Sequence, residues 1–378
     1  MPTTTPSSTG TFDRNENLKM CKSSNFKRLW LDNRGAVLVL CAEACGSCMD
    51  AIARYLQLGE NAMHPFQVIF ARMSMTLVLS TTYMLWTKGP KFIMGHANIR
   101  SWLICRALFG FFGLFCLYYS VHYLPLAEAT IFRFLVPLVT TISCALLLHQ
   151  SFTVGEFVAS VLALIGIVII AHPTNINTHF HNKSLEHYSN DLEKVSPTQR
   201  TIAILVASLG VLAASGAYTC IRMIGERAHA LLSVIYFSVA GTIGPALILL
   251  LIPGITFTIP CGWQWAFLVL LGLLGFALQF LLTKGLQLDK NGKATSMLYS
   301  QILFALLLDW LLWGNLPNPW SLIGGALVIT STVGSAVAKS SSQRNKVFGK
   351  NDEERPLLVN RTEAEDTGPD QVIDHEPQ

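Results

Sequence analysis

Hydrophobic and polar stretches alternate along most of this 378-residue chain, with a period of a few tens of residues. A helix needs about 20 mainly apolar residues to cross a bilayer. Ten runs approach or reach that length: 35–55, 66–86, 101–121, 126–147, 153–171, 201–221, 230–252, 264–283, 294–313 and 320–338. The pattern predicts an all-α polytopic membrane protein with ten transmembrane helices.

The two ends of the chain and one internal segment are polar. Residues 1–34 and 339–378 are rich in Ser, Asn and charge, a composition typical of disordered tails. Residues 172–200 form the longest internal polar segment and have five apolar runs on each side. We therefore expect a first five-helix unit at 35–171, a loop at 172–200 and a second five-helix unit at 201–338.

The two units are weakly similar in sequence. A shift of 165 residues places Ala129-Thr130 on Ala294-Thr295, and a long apolar run, a turn and a helix of small residues follow in both copies. Because each unit has an odd number of runs, the second copy must enter the membrane upside down. Inverted repeats are common in secondary transporters, which hold their substrate near the bilayer midplane. The repeat predicts transport by alternating access.

Lysine and arginine are distributed unevenly between the connecting segments. If the N-terminus is cytosolic, four short outer loops carry neither residue: 56–65, 122–125, 253–263 and 314–319. The inner segments carry many. This positive-inside bias predicts that both termini are cytosolic. The long outer loop then holds Asn182, in the glycosylation acceptor Asn-Lys-Ser, on the side where glycosylation occurs.

Composition narrows the class of protein further. The chain is 51% hydrophobic and 13% charged, whereas soluble domains carry roughly 25% charged residues. The net charge of +4 is small and scattered, which argues against a nucleic-acid partner. The nine cysteines contain one C-x-x-C, Cys45 to Cys48, but no second one to pair with it, and there is no P-loop. We expect a protein in a lipid bilayer, with no metal or other cofactor and no nucleotide hydrolysis.

Several charged side chains lie inside the predicted spans, where each costs about 2.5 to 3.5 kcal/mol at a helix centre. Asp50 precedes Arg54 by four residues, the better orientation for a local ion pair, so we expect Arg54 to neutralise Asp50. Glu43 has no basic residue four positions away. It needs a partner from another helix, a proton or water. A carboxyl group in apolar surroundings can exchange protons near neutral pH, so Glu43 is the candidate for proton coupling.

Three arginines, Arg72, Arg106 and Arg133, lie about 8–10 Å inside their helices. Each can reach back to the membrane interface or extend into a cavity. The acid five positions before Arg133 faces another side of the helix, so Arg133 needs a carboxylate such as Asp50 or Asp309, or an anionic substrate. Guanidinium groups bind carboxylate and phosphate in a bidentate manner. The candidate substrate-binding residues are Glu43, Asp50, Arg72, Arg133, Tyr299 and Asp309.

Long stretches of the chain resemble a known transporter superfamily. "RALFGFFGLFCLYYSVHYLPLAEATIFRFLVPLVTTISCALLL" with "GEFVASVLALIGIVIIAHP" resembles the EamA-type unit of the drug/metabolite transporter superfamily, and "LGLLGFALQFLLTKGLQLDKNGKATSMLYSQILFALLLDWLLWGNLPNPWSLIGGALVI" resembles its second copy. The G branch of solute carrier family 35 is the most similar. The resemblance implies ten spans, inverted repeats and carriage of small metabolites. Gln150 and Asn315 stand where such units often carry a Glu, so no cation role is implied there.

The C-terminal tail contains "EERPLL", residues 353–358. Glu353 lies four positions before the pair Leu357-Leu358, as in the acidic dileucine signals that clathrin adaptors bind. The motif predicts an endosomal, lysosomal or vacuolar membrane, and the plasma membrane is the other destination that we expect.

These observations together predict a secondary transporter of a small polar, anionic metabolite rather than an enzyme. Two alternatives keep the same fold: a regulator or scaffold without transport, and a carrier of the nucleotide-sugar type. A membrane-embedded enzyme would need His and Asp on facing helices, and the spans offer very little His. The sequence also allows a homodimer.

Overall fold

The computed structural model describes residues 12–57, 62–88, 97–124, 126–148, 154–171, 197–251, 257–289, 292–314, 319–320 and 322–334. The described part is helical apart from short connections and contains no strand. The helices are α1 Phe12–Leu56, α2 Pro65–Lys88, α3 Ala97–Tyr123, α4 Leu126–Leu147, α5 Val154–Ala171, α6 Pro197–Ile224, α7 Ala230–Leu251, α8 Trp263–Leu288, α9 Lys293–Met297, α10 Gln301–Trp313 and α11 Leu322–Gly334.

Eight helical stretches in the described residues are long and apolar enough to cross a membrane. Seven of them lie in α1 to α4 and α6 to α8. The eighth is Lys293–Leu312, in which the 3-10 turn Leu298–Ser300 joins α9 to α10. The apolar parts of α5 and α11, Phe157–Ile170 and Leu322–Gly334, are shorter. The prediction of an all-helical, multi-pass membrane protein is confirmed, whereas the count of ten crossings is not.

Helix α1 begins earlier than the sequence analysis expected. It starts at Phe12, within the segment 1–34 whose composition predicts a disordered tail, and continues without interruption to Leu56. Residues 12–34 contain neither Gly nor Pro, the two residues that interrupt helices most strongly. Polar composition alone therefore does not exclude helix here.

The largest helix interfaces join the first half of the chain to the second. The most extensive are α3 with α6, α1 with α8, and α2 with α7. Glycines permit close backbone approach in two of them. A Cβ atom on Gly113 would lie 2.8 Å from the backbone nitrogen of Ala214, and one on Gly285 would lie 2.8 Å from the carbonyl oxygen of Gly35. These interfaces depend on small residues, as in other membrane helix pairs.

Contacts between the halves also follow the 165-residue shift found in the sequence. The shift carries Gly110 onto Gly275 and Arg72 onto Phe237. In the structure, Gly110 lies against the Phe237 ring, and Gly275 lies against the Arg72 side chain. The shift therefore converts each of these two contacts into the other.

A second exchanged pair has the same register. Arg54 forms an ion pair with Asp309, with 3.7 Å between Nη1 and Oδ1. The positions related by the shift are Thr219 and Cys144, and the Cys144 thiol donates to Thr219 Oγ1 at 3.8 Å. The chemistry differs, but the positions in contact correspond.

Candidate functional site

Side chains from α4 and α10 meet on Asp50 of α1. Asp50 Oδ2 accepts a hydrogen bond from Arg133 Nη2 at 3.2 Å and another from Gln301 Nε2 at 2.9 Å. Nearly one turn earlier on α1, the Ser47 hydroxyl lies 3.0 Å from the backbone oxygen of Gln301. Polar contacts therefore hold α1 to both α4 and α10 at this level.

Glu43 and Tyr218 extend this group of polar residues. Glu43 lies two turns before Asp50 on α1 and is only 5% exposed. It is close enough to interact electrostatically with Arg133 and Asp50. Tyr218 of α6 lies within the same range of Glu43 and Arg133.

Arg72 of α2 completes the group. Its Nη1 donates to the thioether sulfur of Met49 at 3.3 Å, and its charge interacts with those of Asp50 and Arg133. Sulfur is a weak acceptor, and no carboxylate in the described residues lies within ion-pair distance of Arg72. We call Glu43, Asp50, Arg72, Arg133, Tyr218 and Gln301 the central cluster.

The ion pairs differ from those that the sequence analysis expected. The spacing along one helix predicts that Arg54 pairs with Asp50. The structure instead pairs Arg54 with Asp309 of α10, and Asp50 with Arg133 of α4. That expectation is wrong because helix packing brings acceptors from other helices closer than spacing along one helix can reveal. The Asp50 option considered for Arg133 is the one that the structure shows.

Tyr299 does not join the polar residues. It is 2% exposed and packs in an apolar cluster with Phe134, Ala163, Ile167 and Val328. Tyr299 lies only two residues before Gln301 in the sequence, but its ring lies in the hydrophobic core and not in the central cluster.

Two members of the central cluster were not among the sequence candidates. The sequence candidates for substrate binding include neither Tyr218 nor Gln301. Ser300-Gln301 interrupts the otherwise apolar ninth run, and this interruption is the signal that identifies Gln301. Nothing in the spacing of Tyr218 distinguishes it from other tyrosines.

A cavity of about 440 Å³ lies where α6 and α8 end. Its lining includes Trp102 at the start of α3, Arg222 of α6 and Gln287 of α8. The Arg222 and Asp289 side chains beside it are almost fully buried and lie 3.6 Å apart. The volume is within the range of about 300–1,000 Å³ for small-molecule sites. The charge distribution of the loops predicts that this end faces the cytosol, so we call it the inner cavity.

Other predicted sites lie outside the described residues. These are the glycosylation acceptor Asn182 and the sorting signal Glu353, Leu357 and Leu358. Within the described part of the chain, no group of three or more His, Cys, Asp and Glu side chains is arranged to hold a metal ion.

The helices, their apolar surfaces and the polar cluster between them define a polytopic membrane protein. A sequence model of the EamA-like transporter family matches residues 33–172 and 201–337, so the chain belongs to that family. The resemblance inferred from the sequence is confirmed.

Two relatives and one solved structure show the extent of the similarity. The chain is 34% identical over 319 residues to the probable transport protein YPL264C of Saccharomyces cerevisiae, covering 82% of this chain and 90% of the relative. It is 28% identical over 247 residues to Homo sapiens solute carrier family 35 member G1, covering 65% of each chain. A crystal structure with 16% identity matches with a TM-score of 0.65 over 82% of this chain and 98% of the other, which shows a shared fold.

Proposed function

We propose that this protein is a secondary transporter that moves a small anionic metabolite across its membrane by alternating access. Its family consists of transporters, which supports the general activity. The main support for an anionic substrate is that Arg72 lies beside the contacts of Arg133 and Gln301 with Asp50. These residues join α1, α2 and α4 to α10. A ligand bound there contacts both halves of the chain.

We also propose that residues 35–171 and 201–338 form two inverted five-helix units, with α5 and α11 as their fifth crossings. The 165-residue shift supports this architecture, since it exchanges the contacts Gly110–Phe237 and Gly275–Arg72. A two-fold related pair of bundles can rock about a shared site, which is the usual basis of alternating access.

The charges of the cluster explain how an anion is selected. Arg133 is neutralised by Asp50, whereas Arg72 donates to a thioether. A substrate carboxylate or phosphate can bind Arg72 directly and compete with Asp50 for Arg133. Asp50 then keeps its hydrogen bond from Gln301, so its charge stays partly satisfied. Binding thereby alters the link between α1 and α4 while leaving the link to α10.

Several further features stay predictions, and most of them concern segments outside the described residues. They are cytosolic termini, a glycosylated outer loop, and adaptor recognition of the tail at an endosomal, lysosomal or vacuolar membrane. Formation of a homodimer is also untested.

Flux measurements on purified protein in liposomes test the proposal. A labelled-metabolite screen identifies the substrate, and we expect it to be an anion. Arg133→Gln should then abolish most of the flux, because a neutral amide cannot form the charged contact. Arg200→Gln is the matched control, since Arg200 is exposed at the start of α6. Wild-type flux in a correctly folded Arg133→Gln protein would remove the site, and a cationic or neutral substrate would remove the selectivity.

A further inference from the structure

Arg106 of α3 is a buried cation that no carboxylate in the described residues neutralises. The residue is 2% exposed, so it does not reach back to the membrane interface as the sequence analysis allowed. Its Nη2 donates to Gln279 Oε1 at 3.2 Å, and its Cζ lies 4.1 Å from the centre of the Phe237 ring. Nε and Nη1 have no hydrogen-bond partner.

One neutral amide and one aromatic face satisfy only part of this charge. Buried charges in membrane spans are costly and usually mark a functional path. Unsatisfied donors on a guanidinium group indicate that an acceptor is missing in this conformation, and an anionic oxygen is the acceptor that such a group binds most strongly.

Arg106 lies close to both the central cluster and the inner cavity. It follows Trp102, which lines the cavity, by one turn on α3. It also interacts electrostatically with Tyr218, a member of the central cluster. Tyr218 in turn precedes Arg222, another cavity residue, by one turn of α6. One helical turn corresponds to about 5.4 Å, so Arg106 is within a turn or two of both.

We propose that Arg106 binds the anionic group of the substrate, a carboxylate or a phosphate, on the route between the central cluster and the inner cavity. This inference rests on the proposed transport of an anion. It adds a second binding position for the substrate. The anion leaves Arg72 and Arg133 and then binds Arg106 as it moves towards the cytosolic side.

The site is closed in the conformation described here. The Phe237 ring covers the guanidinium group, and a Cβ atom on Gly110 would lie 2.8 Å from that ring and 2.9 Å from Arg106 Nη1. Space for an anion therefore requires α7 to separate from α3. Gln279 is on α8, so it can continue to accept from Arg106 when Phe237 moves away.

Anion-dependent stabilisation of the purified full-length protein tests this site. Melting temperature is measured against inorganic phosphate and, separately, succinate, with sodium chloride holding the ionic strength constant. We expect one of the two to stabilise the wild type, and which one does so distinguishes phosphate from carboxylate. Arg106→Gln should raise the concentration for half-maximal stabilisation by roughly ten- to a hundredfold, the loss of one charged hydrogen bond.

Two further variants control this measurement. Arg106→Lys keeps the charge and should retain part of the response, which a purely structural role for Arg106 does not predict. Arg100→Gln removes an exposed arginine from the same helix and should respond like the wild type. An unchanged response in Arg106→Gln, or no stabilisation of the wild type by either anion, would overturn the inference.

Flux measurements separate the failure of this inference from failure of the proposed function. Wild-type flux in Arg106→Gln together with lost flux in Arg133→Gln leaves the transporter proposal standing and removes Arg106. A wild-type protein that carries no anion in the metabolite screen removes the transporter proposal, whatever the melting temperatures show.

Discussion

Two carboxyl groups on one face of α1 have different surroundings. Asp50 accepts hydrogen bonds from Arg133 and Gln301. Glu43, two turns away, is 5% exposed, and no hydrogen bond to its carboxyl group occurs in the described residues. Asp50 therefore suits a structural and ligand-exchange role. Glu43 has no such partner in the described residues and stays the candidate for proton exchange.

We predict that Glu43→Gln abolishes the effect of a pH gradient on flux while exchange of labelled for unlabelled substrate continues. The amide has nearly the shape of the protonated acid but cannot release a proton. The measurement is uptake into liposomes with and without an imposed gradient. Arg200→Gln, which changes an exposed residue at the start of α6, should behave like the wild type. A Glu43→Gln protein that still responds to the gradient would exclude Glu43 from coupling.

Two ion pairs at the inner end differ in burial and should differ in their contribution to stability. Arg222 and Asp289 side chains are 1% and 4% exposed, whereas those of Arg34 and Glu226 are 45% and 58% exposed. Removing one partner of a buried pair costs about 3–5 kcal/mol, and an exposed pair contributes less than about 1 kcal/mol.

We therefore predict that Asp289→Ala lowers the melting temperature in detergent strongly, and Glu226→Ala hardly at all. Asp289 Oδ2 also accepts from the backbone nitrogen of Ala294 at 2.9 Å. Asp289→Asn keeps an acceptor for that hydrogen bond and should fall between the two. Equal losses in the two alanine variants would show that burial does not determine the contribution of these pairs.

At the scale of helices, hydropathy predicts most of the architecture. Each predicted run overlaps a helix because a bilayer requires apolar segments with internal hydrogen bonds. The division of the ninth run into α9, a 3-10 turn and α10 is not visible in that pattern, since the run stays largely apolar. The extension of α1 to Phe12 is also not visible, because polarity identifies the end of a span rather than the end of a helix.

The site was less predictable than the helices. Spacing along one helix shows that Glu43 and Asp50 share a face, but it cannot show which residues on other helices approach them. Arg54 was therefore given the wrong partner, and Tyr218 and Gln301 were missed. The partners that residues find on other helices depend on the packing angles and the register between helices. Neither can be derived from residue spacing in a single sequence.

The contact between α5 and α11 depends on two facing glycines. A Cβ atom on Gly166 would lie 2.7 Å from the carbonyl oxygen of Gly324, and backbone atoms cannot move aside cheaply. We predict that Gly166→Ala destabilises the protein by about 1–3 kcal/mol, the usual cost of overpacking. Gly155 is on the same helix with nothing within 4 Å of its Cβ position, so Gly155→Ala is the control. Melting temperatures in detergent compare the two, and equal values would argue against a tight α5–α11 contact.

At the scale of the whole molecule, the extensive interfaces follow an exchange of the two halves. The 165-residue shift converts the α3–α6 interface into α8–α1 and maps the α2–α7 interface onto itself, and these are the three largest interfaces. Such an exchange is expected of two related bundles. The relative direction of the bundles then depends on how many times each half crosses the membrane.

An odd number of crossings in each half has a consequence for the loop and tail. It places residues 172–200 and the C-terminal tail on opposite faces of the membrane, whereas an even number of crossings in the second half would place both on the same face. An epitope tag inserted after residue 186 should be protected from protease in sealed microsomes, and a tag at residue 378 should be cleaved. Two glycosylation acceptors in the sequence give an independent measurement of the topology. Asn182→Gln should abolish an endoglycosidase-sensitive shift in gel mobility, and Asn360→Gln should leave that shift unchanged. Cleavage of both tags, or a shift that depends on Asn360, would contradict inverted halves, because the second bundle could then no longer be the upside-down copy of the first.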